Sequence, residues 1–191
     1  MELFKILRTK NFIKINNNEP LKEIFLLIFP ELKYLERLHK LNEISKQSIF
    51  NEKILLAILL IDGTNNHEYF SHKYNISNEL EETLNLLAKN FLSFNENKNF
   101  FQKDLKKNIF HFGKNHLESL NIINFLNSKK FKLKDYLKTS DIIKQTSLPK
   151  FPFDGNYLKD RGIKEGAKMG KVLKLLKNEW LSNDFRISDQ K

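Results

Sequence analysis

Apolar residues recur three or four positions apart through almost the whole chain, which is the spacing of one helix face. In the clearest case, after Gly166, one side of the predicted helix carries Met169, Val172, Leu173, Leu176 and Trp180. The opposite side carries Lys168, Lys171, Lys174 and Lys177. No strand-like alternation extends over a useful length. The pattern therefore predicts an all-α protein, an irregular helical array of about eight to ten short helices.

Helices elsewhere are predicted from the same spacing and from residues that usually begin and end helices. They cover 2–8, 21–29, about 31–46, 54–61, 80–87, 101–112 and 117–123. In the first, Leu3, Ile6 and Leu7 are expected to face inward. The helix over 54–61 is apolar on every side, so its neighbours should enclose it. Ser48 is expected to cap that helix, and Gly113 to end the first helix of a hairpin.

Polar and proline-containing breaks divide the chain into three parts. Residues 1–47 hold short helices, separated by an expected turn over 16–20. Residues 48–146 form a helical body. Residues 147–191 form a tail, which begins with a linker containing two prolines and continues through a glycine-spaced turn into the C-terminal helix.

The excess of positive over negative charge lies wholly in the C-terminal half. The formal net charge is +10, yet residues 1–97 carry 12 basic and 13 acidic side chains. Residues 98–138 carry 10 basic and 3 acidic side chains, and residues 142–191 carry 11 and 6. A basic surface on one side of a molecule is typical of proteins that bind nucleic acids.

The composition argues against several other classes of protein. The chain has no cysteine, which excludes disulfides, thiolate catalysis and cysteine-ligated zinc. Its five histidines include no pair at helical spacing, so no metal site is expected. No apolar run approaches the ~20 residues that span a bilayer. The N-terminus mixes acidic and basic residues and does not resemble a signal peptide, so we expect a cytoplasmic protein with no membrane contact.

The turn before the last helix has the features of an anion site. Three glycines stand at four-residue spacing: Gly162, Gly166 and Gly170. The free N–H groups at the helix start would lie beside Lys164 and Lys168, an arrangement that attracts a phosphate. The alternative is a helical hairpin that packs on its own protein, with the lysines as a solvated face.

The same stretch follows a longer pattern, F-P-x-x-G, then L-x-x-x-G-I-x-x-G-x-x-x-G-x-x-L, then a tryptophan and D-F. Its residues are Phe151, Pro152, Gly155, Leu158, Gly162, Ile163, Gly166, Gly170, Leu173, Trp180, Asp184 and Phe185. This pattern resembles the C-terminal end of bacterial class II CCA-adding enzymes and poly(A) polymerases. The family commonly has Pro-Gly-Pro where this chain has Glu165, Gly166 and Ala167, which should loosen the turn.

Weaker matches extend the resemblance over nearly the whole chain. Ile76–Leu84 and Ile109–Leu120 resemble segments of the family's helical body, and Glu2–Leu7 resembles the end of its neck. The resemblance implies that 1–47 are neck-end helices, 48–146 the body and 147–191 the tail. The chain would then match only the C-terminal half of a complete family member.

The catalytic motifs of that family are missing. Nucleotide addition is phosphoryl transfer on two metal ions held by paired carboxylates. The family's head provides Gly-Ser followed by Asp-x-Asp, and its neck provides Glu-Asp-x-x-Arg; this sequence contains none of these. We therefore expect no catalytic residues and no cofactor in this chain, with magnesium and nucleoside triphosphate bound by a separately encoded head.

The resemblance implies an RNA-binding body and tail that hold the acceptor region of tRNA, or another structured RNA, for that head. Contacts would go to the backbone of an A-form helix, and no sequence-specific DNA binding is expected. The residues expected to bind are Lys159, Arg161, Gly162, Lys164, Gly166, Lys168, Gly170 and Lys171.

Two alternatives remain open. The chain could be a structural subunit that docks onto a head-bearing polypeptide through Leu3, Ile6, Leu7, Phe12 and Ile13. It could also be a truncated remnant without a retained role.

Overall fold

The computed structural model describes residues 2–9, 11–44, 50–97, 99–128 and 130–187. Within these ranges the chain forms eleven α-helices and one 3-10 helix, and no strand. They are α1 (Glu2–Leu7), the 3-10 helix (Phe12–Asn17), α2 (Glu19–Ile28), α3 (Arg37–Leu41), α4 (Glu52–Leu60), α5 (Asn66–Tyr74), α6 (Asn78–Glu96), α7 (Leu105–Phe112), α8 (Lys114–Asn127), α9 (Leu133–Gln145), α10 (Gly155–Asp160) and α11 (Ala167–Ser182). The all-α prediction is confirmed. The helices outnumber the prediction because the 3-10 helix, α5 and α10 lack a clear apolar period.

Side-chain caps determine where several helices begin. The side chain of Asn51 accepts a hydrogen bond from the backbone N–H of Ile54 at 2.9 Å, which fixes the start of α4. The predicted cap, Ser48, lies outside the described residues. Asn18 caps α2 in the same way, so helical structure begins inside the segment 16–20 that was expected to be a turn.

Two buried helices form the centre of the body. From Leu55 to Ile61 the side chains of α4 and its C-cap are 0–4% exposed, as predicted for a segment that is apolar on every side. This helix packs against α1, α5, α6 and α8. Helix α8 in turn packs against α3, α4, α6, α7 and α9. The main core therefore runs from α1 to α9.

The helix predicted over 31–46 is wrong in its extent, since only Arg37–Leu41 is α-helical in the described part of that range. Leu35 is buried as expected, but it precedes the helix, and its carbonyl accepts a hydrogen bond from the side chain of Asn16 at 2.6 Å. Arg37 donates from one guanidinium nitrogen to two carbonyls at the end of α4, at 2.6 and 2.9 Å. Tertiary contacts of this kind can outweigh a local helical period.

The first two helices expose apolar side chains. In α1, Leu3 and Leu7 are buried as predicted, but Ile6 is 38% exposed, because the side of the helix that packs on the body is narrower than predicted. Helix α2 buries Phe25 and exposes four apolar side chains, here called the α2 apolar face. They are Leu21, Ile24, Leu27 and Ile28, which are 51–83% exposed.

The tail packs on the body through a small aromatic cluster that is separate from the main core. Trp180, near the end of α11, is 2% exposed. Its ring centroid lies 5.9 Å from that of Phe110 on α7 and 4.8 Å from that of Phe185. These edge-on aromatic contacts position the start of α11 relative to the body.

Candidate nucleic-acid interface

Two of the three spaced glycines form the turn between α10 and α11. Gly162 has a φ of 82°, and the N–H of Ile163 bonds to the carbonyl of Leu158 at 3.0 Å, which closes a Schellman motif. Gly166, the N-cap of α11, has a φ of 127°. Residues with a side chain rarely adopt either of these backbone conformations, so glycine is needed at both positions. Gly170 lies inside α11, and a Cβ there would meet no atom within 4 Å.

The start of α11 leaves its backbone N–H groups without a side-chain acceptor. No side chain caps Gly166, and the first turn contains no acidic residue. The first N–H groups of a helix lack partners within the helix, and the helix dipole places partial positive charge at this end. The 16-residue helix therefore presents an electropositive end to solvent.

Three of the predicted lysines lie just before α11 or in its first two turns. Lys164, Lys168 and Lys171 are all exposed. Among the described residues, none of them lies within ion-pair distance of a carboxylate. Lys168 and Lys171 are three residues apart on α11, so they project from neighbouring positions of one helix face.

The other two predicted basic residues have partners inside the protein. The Lys159 ammonium pairs with the Glu165 carboxylate across the turn, although both side chains are largely exposed and such pairs contribute little stability. The Arg161 guanidinium lies 3.6 Å from the ring centroid of Tyr157, in cation–π geometry. Arg161 also lines a groove of about 1170 Å³ between the linker, α11 and the C-terminal segment.

The apolar side of α11 packs against the protein, so the lysines on its opposite side face solvent, as the periodicity predicts. Met169 is buried beside Gly155, at the start of α10. Val172, Leu173 and Leu176 are half-buried, and Trp180 completes the side at the aromatic cluster. Lys107 on α7 pairs with Asp184 at 3.1 Å and adds a polar contact between body and tail.

A second cavity, which the sequence did not indicate, lies between α4, α6 and α8. His116 lines it and shares a 2.9 Å hydrogen bond with the side chain of Asn90; burial lowers the pKa of His116 from 6.5 to about 4. Burial also raises the pKa of Glu118, and a hydrogen bond from Ser140 only partly offsets this effect. The imidazole is therefore neutral at pH 7.

Among the described residues, no helix is long and apolar enough to cross a membrane, and no group of three or more potential metal ligands comes together. No protein-family model matches the chain, and neither a curated protein nor a solved structure shows significant similarity to it.

Proposed function

We propose that this chain binds structured RNA, with tRNA as the expected substrate, as the body and tail of a tRNA nucleotidyltransferase whose catalytic head is a separate polypeptide. The tail contacts the phosphates of the acceptor region and recognises the shape of the A-form helix rather than its sequence. The head supplies the metal ions and the nucleotide. The particular nucleotide that is added depends on residues of that head.

The observation that carries the proposal is the cluster of unpaired lysines at the start of α11. A phosphate there would meet both free backbone N–H groups and the ammonium groups of Lys164 and Lys168. Gly170 leaves the neighbouring helix surface open, since no atom beyond its chain neighbours and the backbone of its own helix lies within 4 Å of the position of its absent Cβ. An RNA backbone can therefore approach the helix closely between the lysines.

The salt dependence of tRNA binding tests the proposal directly. The Kd of the chain for an unmodified tRNA transcript is measured between 50 and 400 mM KCl, with a DNA duplex of equal length for comparison. Phosphate contacts predict a steep linear fall of log affinity with log salt, and A-form recognition predicts weaker DNA binding. Salt-independent binding, or no binding at 50 mM KCl, would contradict the proposal.

A second candidate function, a structural subunit, is favoured by the α2 apolar face. Its four exposed side chains form an apolar surface of the kind that marks a protein contact. The docking residues predicted from the sequence do not form this surface, because Leu3, Leu7 and Phe12 are buried in the chain's own core. If a head docks here, it does so through α2.

Mixing the chain with a purified catalytic head of the nucleotidyltransferase family tests this candidate. The variant I24S/L27S should lose complex formation while it keeps tRNA affinity, because α2 lies outside the tail. Leu175, 67% exposed on α11, provides the matched control Leu175→Ser. Full nucleotide addition by the head alone would remove the need for this chain.

A further inference from the structure

The cavity that contains His116 has no role in the function proposed above. It has a volume of about 680 Å³ and lies between the start of α4, α6, α8 and the end of α9. Its apolar walls are formed by Ile54, Leu87, Phe112 and Ile122. His116 and Glu118 also line it, and burial shifts the pKa of each. An apolar cleft of this size with a few polar groups, some with shifted pKa values, is typical of a small-molecule site.

His116 offers the cavity a hydrogen-bond donor. The Nδ2 of Asn90 can only donate, so the Nε2 of His116 is the acceptor of their 2.9 Å hydrogen bond. A neutral imidazole then carries its single proton on Nδ1. Within the described part of the chain Nδ1 has no hydrogen-bond partner, and the protein does not enclose it. The ring of Phe112, 5.5 Å away between centroids, holds the imidazole in place.

Glu118 offers an acceptor. The hydroxyl of Ser140 lies 2.9 and 3.1 Å from its two carboxylate oxygens, but a hydroxyl has one proton to give, so acceptor capacity remains. Lys144 is exposed and attracts Glu118 from beyond ion-pair distance. Lys53, the other cation of the walls, pairs with Glu79 at 2.7 Å. Because these charges nearly balance and the imidazole is neutral, the cavity suits an uncharged ligand.

The order of residues on α8 sets the length of that ligand. Successive helical residues are rotated by about 100°, so Asn115, Ser119 and Ile122 share the side of α8 that faces the cavity. His116 and Glu118 lie on the two edges of that side. A molecule that reaches both must therefore cross Ser119 and span most of the width of the helix, about 10 Å. A single aromatic ring with a polar group at each end meets this requirement.

We propose that this cavity binds a small uncharged aromatic molecule, with a carbonyl oxygen on the Nδ1–H of His116 and a hydroxyl that donates to Glu118. The ring lies over Ser119, between Phe112 and Ile122. The site belongs to the body and uses none of the residues that the tail offers to RNA. Binding at the cavity and binding of RNA are therefore separate properties, and each can fail without the other.

Three related compounds test the proposal: 4-hydroxybenzamide, benzamide, which lacks the hydroxyl, and 4-hydroxybenzoate, which is charged. NMR titration of the full chain with ¹⁵N-labelled histidine follows the imidazole nitrogens of His116. 4-Hydroxybenzamide should shift them with a Kd of about a millimolar, typical of so small a ligand. Benzamide and 4-hydroxybenzoate should bind about tenfold more weakly. No shift with 4-hydroxybenzamide, or tighter binding of 4-hydroxybenzoate, would overturn the proposal.

Ser119→Leu should abolish binding, because its side chain fills the space that the ring would occupy. The fold should tolerate the change, since the hydroxyl of Ser119 bonds only to the carbonyl of Asn115 in its own helix, at 2.9 Å. Ser93 on α6 makes the same kind of hydrogen bond, to the carbonyl of Lys89 at 3.1 Å, outside the cavity. The matched control Ser93→Leu should therefore keep the wild-type Kd. Unchanged binding in Ser119→Leu, or equal loss in both variants, would contradict the site.

Glu118→Gln tests the contact with the hydroxyl. The amide keeps the shape of the side chain and an acceptor for Ser140, so the fold should remain. The affinity for 4-hydroxybenzamide should fall about tenfold, while the affinity for benzamide should stay the same. Equal weakening of both compounds would mean that Glu118 only supports the structure. The tail variant K164Q/K168Q/K171Q should bind 4-hydroxybenzamide like wild type, and a loss there would contradict a separate site in the body.

Discussion

The two halves of the chain use their basic side chains in different ways. Among residues 1–97, six lysine or arginine side chains form ion pairs with carboxylates: Lys5, Arg8, Lys22, Lys33, Lys53 and Lys73. Arg37 and Lys40 donate instead to backbone carbonyls. After position 97, among the described basic residues, only Lys107 and Lys159 pair with a carboxylate.

The difference lies in how the positive charge is balanced. Paired cations are neutralised inside the fold, and such residues stabilise it or have little effect. Unpaired cations on one surface repel each other and slightly oppose folding. Among the described residues, most lysines without a carboxylate partner lie after position 97, on the body and on the tail.

The largest expected effect on stability comes from replacing Arg37 in the N-terminal half. Arg37→Met should lower the free energy of unfolding by about 2–4 kcal/mol, because the carbonyls of Ile58 and Ile61 lose their donor. Urea unfolding followed by circular dichroism measures this. The affinity for tRNA should stay at the wild-type value in conditions where the variant is folded. A large loss of RNA affinity in the folded variant would mean that the N-terminal half also binds.

The unpaired lysines of the tail should behave in the opposite way. K164Q/K168Q/K171Q should weaken tRNA binding about 10- to 100-fold at 100 mM salt and reduce the slope of log affinity against log salt by two to three. Fluorescence anisotropy with labelled tRNA measures both quantities. The melting temperature should be unchanged or slightly higher, since repulsion is relieved. The matched control is K5Q/K22Q/K53Q, which removes three paired lysines and should leave the slope unchanged.

Replacing Gly170 should change folding stability and tRNA affinity in opposite directions. Gly170→Ala should stabilise the free chain by about 0.5–1 kcal/mol, because glycine is unfavourable inside a helix and the new methyl group meets no atom within 4 Å. The same methyl group should weaken tRNA binding several-fold if the RNA backbone lies against this surface. Equal affinity in the variant would place the RNA elsewhere on α11.

A further expected effect is a dependence of stability on pH. Burial lowers the pKa of His116 to about 4 in the folded chain, so between pH 6.5 and 4 the unfolded state binds the proton more readily. Stability from this residue is fully present above pH 6.5 and falls as the pH decreases toward 4. The melting temperature should drop by a few degrees between pH 7 and pH 5.

The variant His116→Gln keeps an acceptor for Asn90 and should lose most of that drop. The raised pKa of Glu118 acts in the opposite direction, because its protonated form is favoured in the fold. The difference between wild type and variant therefore isolates His116. An identical drop in both proteins would assign the effect to other groups.

The sequence predicted the features that depend only on residues close together in the chain. The apolar side of α11, with Met169 and Trp180 buried, follows from its period alone. The enclosure of α4 follows in the same way from a segment without a polar side. Both properties are local, because a helix fixes which side chains share a face.

Features that depend on the tertiary structure could not be predicted. The pairing of Lys159 with Glu165 requires the path of the chain through Gly162, which sequence spacing does not give. Asn124 on α8 is buried and has no side-chain hydrogen-bond partner among the described residues, and an asparagine within a helix pattern gives no sign of this. The contacts of Arg37 with the end of α4 likewise depend on the tertiary structure.

The aromatic cluster around Trp180 has a thermal consequence. It joins the tail to α7 through far fewer side chains than hold α1 to α9 together, so the tail is the unit that should open first when the protein is warmed. If the tail binds RNA as proposed, the RNA would then be released at a temperature where the rest of the molecule is still folded.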